Sequence, residues 1–340
     1  MGPVMATNGY DGMRICILGA GSLGCVFGGL LAAAGHDVLL VNRSADLVKR
    51  LNRDGLTLSF ETGDRLIAVQ AATDCRGQAP FDLIVVLVKS FHTRDALEAA
   101  REAIGPDTAV MSLQNGLGHE DVIAEIAGPA SVLVGKTYVG GVMTNPGKVV
   151  AGVGGKPTYI GEPDGTISER VRKIADAFSR AGLETVASER IIGVVWDKLL
   201  VNVATGALSG ITRLAYGDLY DVPEIAECAC AAVREAMAVA SAAGIALYYD
   251  DPERPWRIAG EGLPPEFKAS MLQSLEKGSI TEIDFINGAV VRWGDRHGVP
   301  TPVNRTLVAA IKGAERALAP IPVRSPQADA SPTARPGTTR

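Results

Sequence analysis

The sequence predicts an α/β protein in two parts, a doubly wound parallel sheet followed by an all-helical domain. Three observations predict it. An apolar strand, Arg14–Leu18, runs straight into a Gly-x-Gly-x-x-Gly turn on Gly19, Gly21 and Gly24, and an apolar, small-residue helix follows over 25–34. Short apolar strands then recur as far as about residue 187. From Ile191 to about Leu318 the apolar spacing is helical and strand alternation stops.

Each glycine of the turn has a separate task. The first allows a sharp turn, the second admits a pyrophosphate against bare backbone, and the third lets the helix pack closely on the sheet. The first helical N–H groups then face the anion. A glycine-rich turn without a ligand is the competing reading; the strand before it, the helix after it and a second strand at Asp37–Val41 favour the dinucleotide site. Gly19, Ala20, Gly21, Ser22, Leu23 and Gly24 are therefore cofactor-binding candidates. The second strand ends in Asn42-Arg43-Ser44, with no acid to hold a ribose 2′-hydroxyl and with Arg43 placed to meet a 2′-phosphate, so the tip reads as NADPH-preferring. The alternative is that Arg43 is a solvated loop residue.

The remaining strands follow in order. Residues 55–69 alternate Leu56, Leu58 and Phe60 about a turn at 61–64, as a hairpin does. The unbroken apolar run at 81–88 suits a parallel strand buried on both faces and ends in Lys89-Ser90. A short strand at 109–113 ends in Gln114-Asn115-Gly116-Leu117-Gly118. Ligands of doubly wound sheets bind beyond the carboxyl ends of strands, which puts Lys89 and Asn115 beside cofactor or substrate. A surface charge and a plain turn are their competing readings. Strand-like pieces at 131–139 and 149–161 are joined through Asn145-Pro146-Gly147, an amphipathic helix covers 168–180, and 183–187 is the last strand.

The helical part opens with Trp196-Asp197-Lys198-Leu199-Leu200-Val201-Asn202. Lys198 and Asn202 are four apart and share one helical face, where they can serve a carbonyl substrate or, more plainly, snorkel to the surface. Ser270-Met271-Leu272-Gln273 follows, then Ser279-Ile280-Thr281-Glu282-Ile283-Asp284. Ser279 or Thr281 reads as a helix start, which would make Glu282 and Asp284 first-turn acids favoured by the helix dipole. Residues 319–340, rich in Pro, Ala, Ser and Thr, read as a disordered tail, and 1–12 as a disordered lead.

Composition narrows the classes. A chain of 340 residues accommodates two domains, at 13–190 and 191–318, and a net charge of −5 argues against a nucleic-acid partner. No apolar run is read as a membrane span, and no signal peptide is read at the start. Cys16, Cys25, Cys75, Cys228 and Cys230 have neither disulfide nor zinc spacing, so no metal is expected and a cytoplasmic setting is the default.

Taken together, Gly19-Ala20-Gly21-Ser22-Leu23-Gly24, Lys89, Gln114-Asn115-Gly116, Trp196-Asp197-Lys198 with Asn202, Ser270-Met271-Leu272-Gln273 and Thr281-Glu282-Ile283-Asp284 form an ordered set that resembles the ketopantoate reductase family (2-dehydropantoate 2-reductases). The resemblance spans Met13 to about Ala317. It implies a Rossmann-type N-terminal domain, a helical C-terminal domain and a site in the cleft between them. It implies hydride transfer from NADPH to the 2-oxo carbon of a small oxo acid, with Lys198 as the general acid. Asn202 and Ser270 would hold substrate, Glu282 would order substrate hydroxyl and cofactor groups, and Arg43, Lys89 and Asn115 would face the cofactor. It leaves room for a homodimer. Three positions depart from the family pattern: Gly206 and Tyr216 stand where asparagines are usual, and Val139 where a histidine is common. Three functions are therefore carried forward: ketopantoate reduction in pantothenate and coenzyme A synthesis, reduction of another oxo acid or ketone, and a non-catalytic NADP(H) sensor.

Overall fold

Strand β1 (Arg14–Leu18) is buried along most of its length and lies near the centre of an eight-stranded sheet. The computed structural model describes residues 12–318. The expected tail over 319–340, and the lead over 1–12 apart from Gly12, lie outside the described residues. After β1 come α1 (Ser22–Ala33), β2 (Asp37–Val41), α2 (Ala45–Asp54), the hairpin β3 (Leu56–Phe60) and β4 (Gly63–Ile67), and β5 (Gln70–Ala72). The other half of the sheet is built by β6 (Leu83–Val86), α3 (Thr93–Ala99), β7 (Ala109–Ser112), α4 (His119–Ala127) and β8 (Val132–Thr137). The strand order β5-β2-β1-β6-β7-β8 is parallel throughout and reverses direction of travel between β1 and β6. That reversal is the switch point at which such sheets bind ligands. Valine, isoleucine and leucine fill these strands because both faces are covered, on one side by the core around Ile15, Phe27 and Phe178 and on the other by the core around Cys16, Ile84 and Leu97.

Several expectations are corrected here. The apolar run at 81–88 yields only the four residues of β6, because Asp82 and Leu87 bond the ends of β1 and the chain beyond Val86 bends into the site. The stretch 149–161 is two strands in two sheets. Its first part, β10 (Lys148–Gly152), forms a hairpin with β9 (Gly140–Asn145), and its second, β11 (Thr158–Gly161), runs antiparallel to β8. β10 then pairs in parallel with β3, giving a separate four-stranded sheet, β4-β3-β10-β9. Helix α5 (Glu169–Arg180) is capped by Ser168, whose Oγ accepts from Val171 N, and β12 (Thr185–Ala187) closes the large sheet. Helix α1 begins at Ser22 rather than Cys25, so the last three residues of the glycine motif form its first turn.

Beyond β12 the described residues contain helices and no strand. The axis of this part is α6 (Ile191–Thr212), surrounded by α7 (Tyr216–Tyr220), α8 (Pro223–Ala242), α9 (Glu253–Ala259), α10 (Ser270–Glu276), α11 (Asn287–His297) and α12 (Pro302–Leu318). By length and composition α6 is apolar enough to cross a bilayer, contrary to the sequence expectation, yet 72% of its most apolar window is buried inside the protein. It is a core helix: Trp196, Leu199, Leu200, Val203 and Ala207 all lie in the second hydrophobic cluster. Val134 of β8 belongs to that same cluster, so the helical core grows directly onto the face of the sheet. Asp197 faces the other way and accepts from Tyr248 N at 2.9 and 3.2 Å, which secures the chain after α8; burial raises its carboxyl pKa.

The expected helix start at Ser279 or Thr281 is absent. Residues Ile283–Phe285 form a single 3-10 turn and α11 starts at Asn287. The turn is pinned from both sides. Thr281 donates through N and Oγ1 to Glu315 Oε1, both at 2.7 Å, and Leu117 N donates to Phe285 O at 2.9 Å. Asp284 pairs outward with Lys312, whereas Glu282 turns inward and is buried. The two acids are therefore not equivalent, and Glu282 is not a dipole-stabilised first-turn residue.

Candidate functional site

The glycine turn forms one wall. Gly19 has φ +115°, and a Cβ there would stand 2.4 Å from Val88 N. A Cβ on Gly24 would stand 2.2 Å from Gly19 O, so the helix can approach the turn only as glycine. Around Gly21 the situation is opposite: nothing lies within 4 Å of an added Cβ. The close approaches therefore sit at the first and third glycines, and the second presents bare backbone to open space. Among the described residues, helix α1 has no side-chain cap, and its first turn carries no acid, so nothing there offsets the positive end of its dipole. The wall is braced from behind by β2, with Gly19 N and Ala20 N donating to Val41 O and Asn42 Nδ2 donating to Ala20 O at 2.8 Å. Ser22 Oγ accepts from Met143 N at 3.1 Å, and Leu23 packs on the core. Arg43 is exposed at the strand tip, 3.2 Å from His92 Nε2, a neighbour that the sequence did not suggest.

The tips of β6 and β7 form the floor. Glu282 Oε1, from the helical part, accepts from Ser90 Oγ at 2.6 Å and Ser90 N at 3.1 Å, and Lys89 Nζ lies 4.0 Å from its Oε2. Residues 192 positions apart thus meet directly across the junction between the two parts. Asn115 is held by its carbonyl oxygen, which accepts from Ser90 Oγ at 3.3 Å and lies 2.9 Å from His119 Nε2; the His119 ring stacks on Phe285 at 5.2 Å.

Lys136 was missed. It lies in the buried strand β8 and is 1% exposed, with Nζ donating to Asn115 Oδ1 at 2.9 Å and to Gln114 O at 3.3 Å. Burial, then the positive charge of Lys198, pushes its pKa down to about 7, while Glu282 and Glu120 act in the opposite direction. The charges of Lys198 and Glu282 therefore converge on one buried amine. A charged residue inside the apolar run Val132-Leu133-Val134-Gly135-Lys136 was the available signal.

The remaining wall is α6. Lys198 Nζ stands 4.9 Å above the Tyr138 ring, a cation–π distance, and among the described residues no carboxylate or carbonyl accepts a hydrogen bond from it. Burial lowers its pKa and raises that of the Tyr138 hydroxyl. One turn on, Asn202 Nδ2 is buried and has no hydrogen-bond partner among the described residues. Ser270 opens α10 and is exposed; among the described residues no hydrogen bond ties it to Lys198, Asn202 or Glu282. The departures are accounted for by packing. A Cβ on Gly206 would meet Met271 Cε at 3.3 Å, Tyr216 donates its hydroxyl to Thr205 Oγ1 at 3.0 Å, and Val139 is buried in the N-terminal core.

Comparison with known proteins places the chain in a family. The family described as Ketopantoate reductase PanE/ApbA matches residues 15–165, and its C-terminal counterpart matches residues 190–315. A 2-dehydropantoate 2-reductase of Halobacterium salinarum is 37% identical over 306 residues, covering 89% of this chain and 99% of that one. The Pyrococcus horikoshii enzyme of the same name is 37% identical over 303 residues, covering 89% and 98%. Among solved structures, a PanE/ApbA family ketopantoate reductase from Ralstonia eutropha JMP134 superposes with a TM-score of 0.81 at 33% identity, covering 90% of this chain and 99% of that one. A D-mandelate dehydrogenase in ternary complex with NADH and anilino(oxo)acetate gives a TM-score of 0.81 at 28% identity, with the same coverage.

Proposed function

This chain belongs to the ketopantoate reductase family and is an oxidoreductase acting on a CH–OH/C=O pair with a nicotinamide cofactor, and from that premise we propose that it reduces 2-dehydropantoate to pantoate with NADPH. The observation that carries the reading is the pairing on α6, one turn apart, of Lys198, an ammonium with no carboxylate or carbonyl acceptor among the described residues, and the buried, unpartnered amide nitrogen of Asn202.

The residues fit a dinucleotide. Open space over Gly21 and the uncapped start of α1 suit a pyrophosphate. Arg43, with His92 beside it, suits a ribose 2′-phosphate, which distinguishes this reading from the NADH of the D-mandelate dehydrogenase complex. Glu282 accepts only, so after its bonds to Ser90 it retains lone pairs on Oε2 for a hydroxyl, and Lys89 sits nearby to balance its charge. When bound, the nicotinamide supplies a hydride to the 2-oxo carbon. Lys198 then gives a proton from Nζ to the carbonyl oxygen, so that the product leaves as an alcohol and the amine recovers a proton from solvent. A lysine of lowered pKa suits that task better than one left at its ordinary value, because donation becomes easier near neutral pH. Before transfer, its charge draws a carboxylate substrate into the cleft. We place the boundary of the two domains between 190 and 191 and the protein in the cytoplasm, a reading that five unbridged cysteines support.

A second reading, reduction of a different 2-oxo acid, is favoured by Gly206 and Tyr216. Both positions are closed by Met271 and Thr205 rather than offering amides, so fewer donors face a substrate hydroxyl. Steady-state NADPH oxidation with 2-dehydropantoate and a panel of alkyl and aryl 2-oxo acids tests both. The highest kcat/KM on 2-dehydropantoate supports the first, a higher value on another acid the second. Cofactor binding without turnover on any acid would instead favour the non-catalytic sensor.

A further inference from the structure

We propose that Lys136 is a positioning residue that sets the orientation of the Asn115 carboxamide, so that Nδ2 rather than Oδ1 is presented to the bound dinucleotide; this rests on the cofactor-facing reading of Asn115. The two ends of an asparagine amide are nearly isosteric, so only hydrogen-bond partners decide which end points where. The backbone around Asn115 is already fixed by Ser90 and His119 on its carbonyl oxygen. Gln114 is fixed as well: its Nε2 donates to Val88 O at 2.7 Å, and its Oε1 accepts from Ser112 Oγ at 3.0 Å and Thr93 Oγ1 at 3.2 Å. The rotation left open is that of the Asn115 side chain, and Lys136 meets it at 2.9 Å.

Lysine is suited to this because an ammonium carries donors and no acceptor, so the amide oxygen must face it and the amide nitrogen must face away. The orientation survives loss of a proton. A neutral amine still has two N–H groups, matching the two acceptors Asn115 Oδ1 and Gln114 O. The site is also rigid. Lys136 lies within β8, and a Cβ on its neighbour Gly135 would stand 2.6 Å from Leu113 Cδ2, so the strand presses against β7 with little room to shift. Packing alone gives no reason for a lysine, since methionine fills a similar volume without a buried charge.

The test is a double-mutant cycle on NADPH affinity, read by cofactor fluorescence, with melting temperatures of every variant. Lys136→Met should weaken NADPH binding about tenfold, the loss of one oriented hydrogen bond, without lowering the melting temperature in parallel. Asn115→Ala should weaken it at least as much, and the double variant should bind no worse than Asn115→Ala alone. Lys136→Arg keeps donors and no acceptor facing Oδ1 and should bind NADPH near wild-type strength, which decides the matter even if the methionine variant folds poorly. Wild-type affinity in Lys136→Met, losses that simply add, or an arginine variant that melts like wild type yet binds as weakly as Asn115→Ala overturns the proposal. Wild-type affinity in Asn115→Ala overturns it too, and in that case because the reading of Asn115 has failed.

Discussion

Replacing Lys198 by methionine separates chemistry from structure. The ammonium lies over Tyr138, and among the described residues no carboxylate or carbonyl accepts from it, so removal orphans no buried acceptor there. Methionine keeps most of the side-chain volume, so no cavity opens. It also relieves the burial that depresses the lysine pKa. The melting temperature should therefore stay constant or rise slightly. NADPH affinity should hold within about threefold, because the glycine turn and Arg43 lie on the other half of the molecule. Turnover should fall by roughly two to four orders of magnitude, or about 3–5 kcal/mol of barrier. The assay is single-turnover loss of reduced-nicotinamide absorbance at saturating cofactor, repeated across pH. In the wild type, kcat should decline as pH rises through a group titrating below the ordinary lysine value of 10.5, and the methionine variant should lack that limb. Lys198→Arg adds a control: it keeps the charge and should retain substrate binding, yet it releases its proton too reluctantly to restore turnover. A methionine variant within about threefold of wild-type kcat refutes the assignment of Lys198 as proton donor.

Other outcomes follow from the same geometry. Arg43→Ala should erase most of the preference for NADPH over NADH, a loss of about 1–3 kcal/mol in their difference by titration, and a wild type that prefers NADH refutes the reading of the tip. Gly21→Ala should melt like wild type but bind NADPH poorly, since its Cβ enters open space that the pyrophosphate needs. Gly24→Ala should lose stability, because its Cβ meets Gly19 O at 2.2 Å. Glu282→Gln should lower the unfolding free energy in urea by about 1–3 kcal/mol, since two hydrogen bonds from Ser90 lose their charged acceptor, and equal stability would show that the junction is held elsewhere. Lys136 makes stability depend on pH. Its folded pKa of about 7 lies below the unfolded 10.5, so between those values the unfolded chain binds more protons and wild-type stability gains with rising pH. The stability of Lys136→Met relative to wild type should accordingly fall across that window by at most about 1.4 kcal/mol per pH unit, and a flat difference would contradict the burial of a titrating amine.

The sequence revealed what rests on local signals. The glycine spacing, the apolar parallel strands and the amphipathic helix after Ser168 each follow from a few neighbouring residues, and the first and third glycines make the tight turn and the close helix approach expected of them. The helical spacing after Ile191 was equally plain. What escaped depends on partners remote in the chain. β10 belongs to a second sheet only because β3 is there to receive it, and nothing in 148–152 says so. On its neighbours alone Glu282 reads as a helix-start acid, and only the family resemblance implied a role in the site; Ser90, far away in sequence, supplies the bonds that turn it inward. Lys136 stood in plain view within an apolar strand, but its meaning required Asn115 and Lys198 to be brought to it.

The second sheet also bears on the order in which the chain assembles. Thr57 pairs with Lys148 and Leu58 with Val149, so one edge of β3 waits for a partner until the ribosome has made most of the first half of the protein. Until then the hairpin β3–β4 offers an open edge, with Leu66 already solvent-facing, to any other nascent strand. Loop closure of that length is slow, so the amides of β10 should gain protection late in pulsed hydrogen exchange, after those of β1 and β6. Helix α1 packs under this sheet, with Gly29 against Leu56 and Leu58 and Val26 against Gly141. The glycine turn therefore reaches its final rigidity only when the last pair of strands has closed above it.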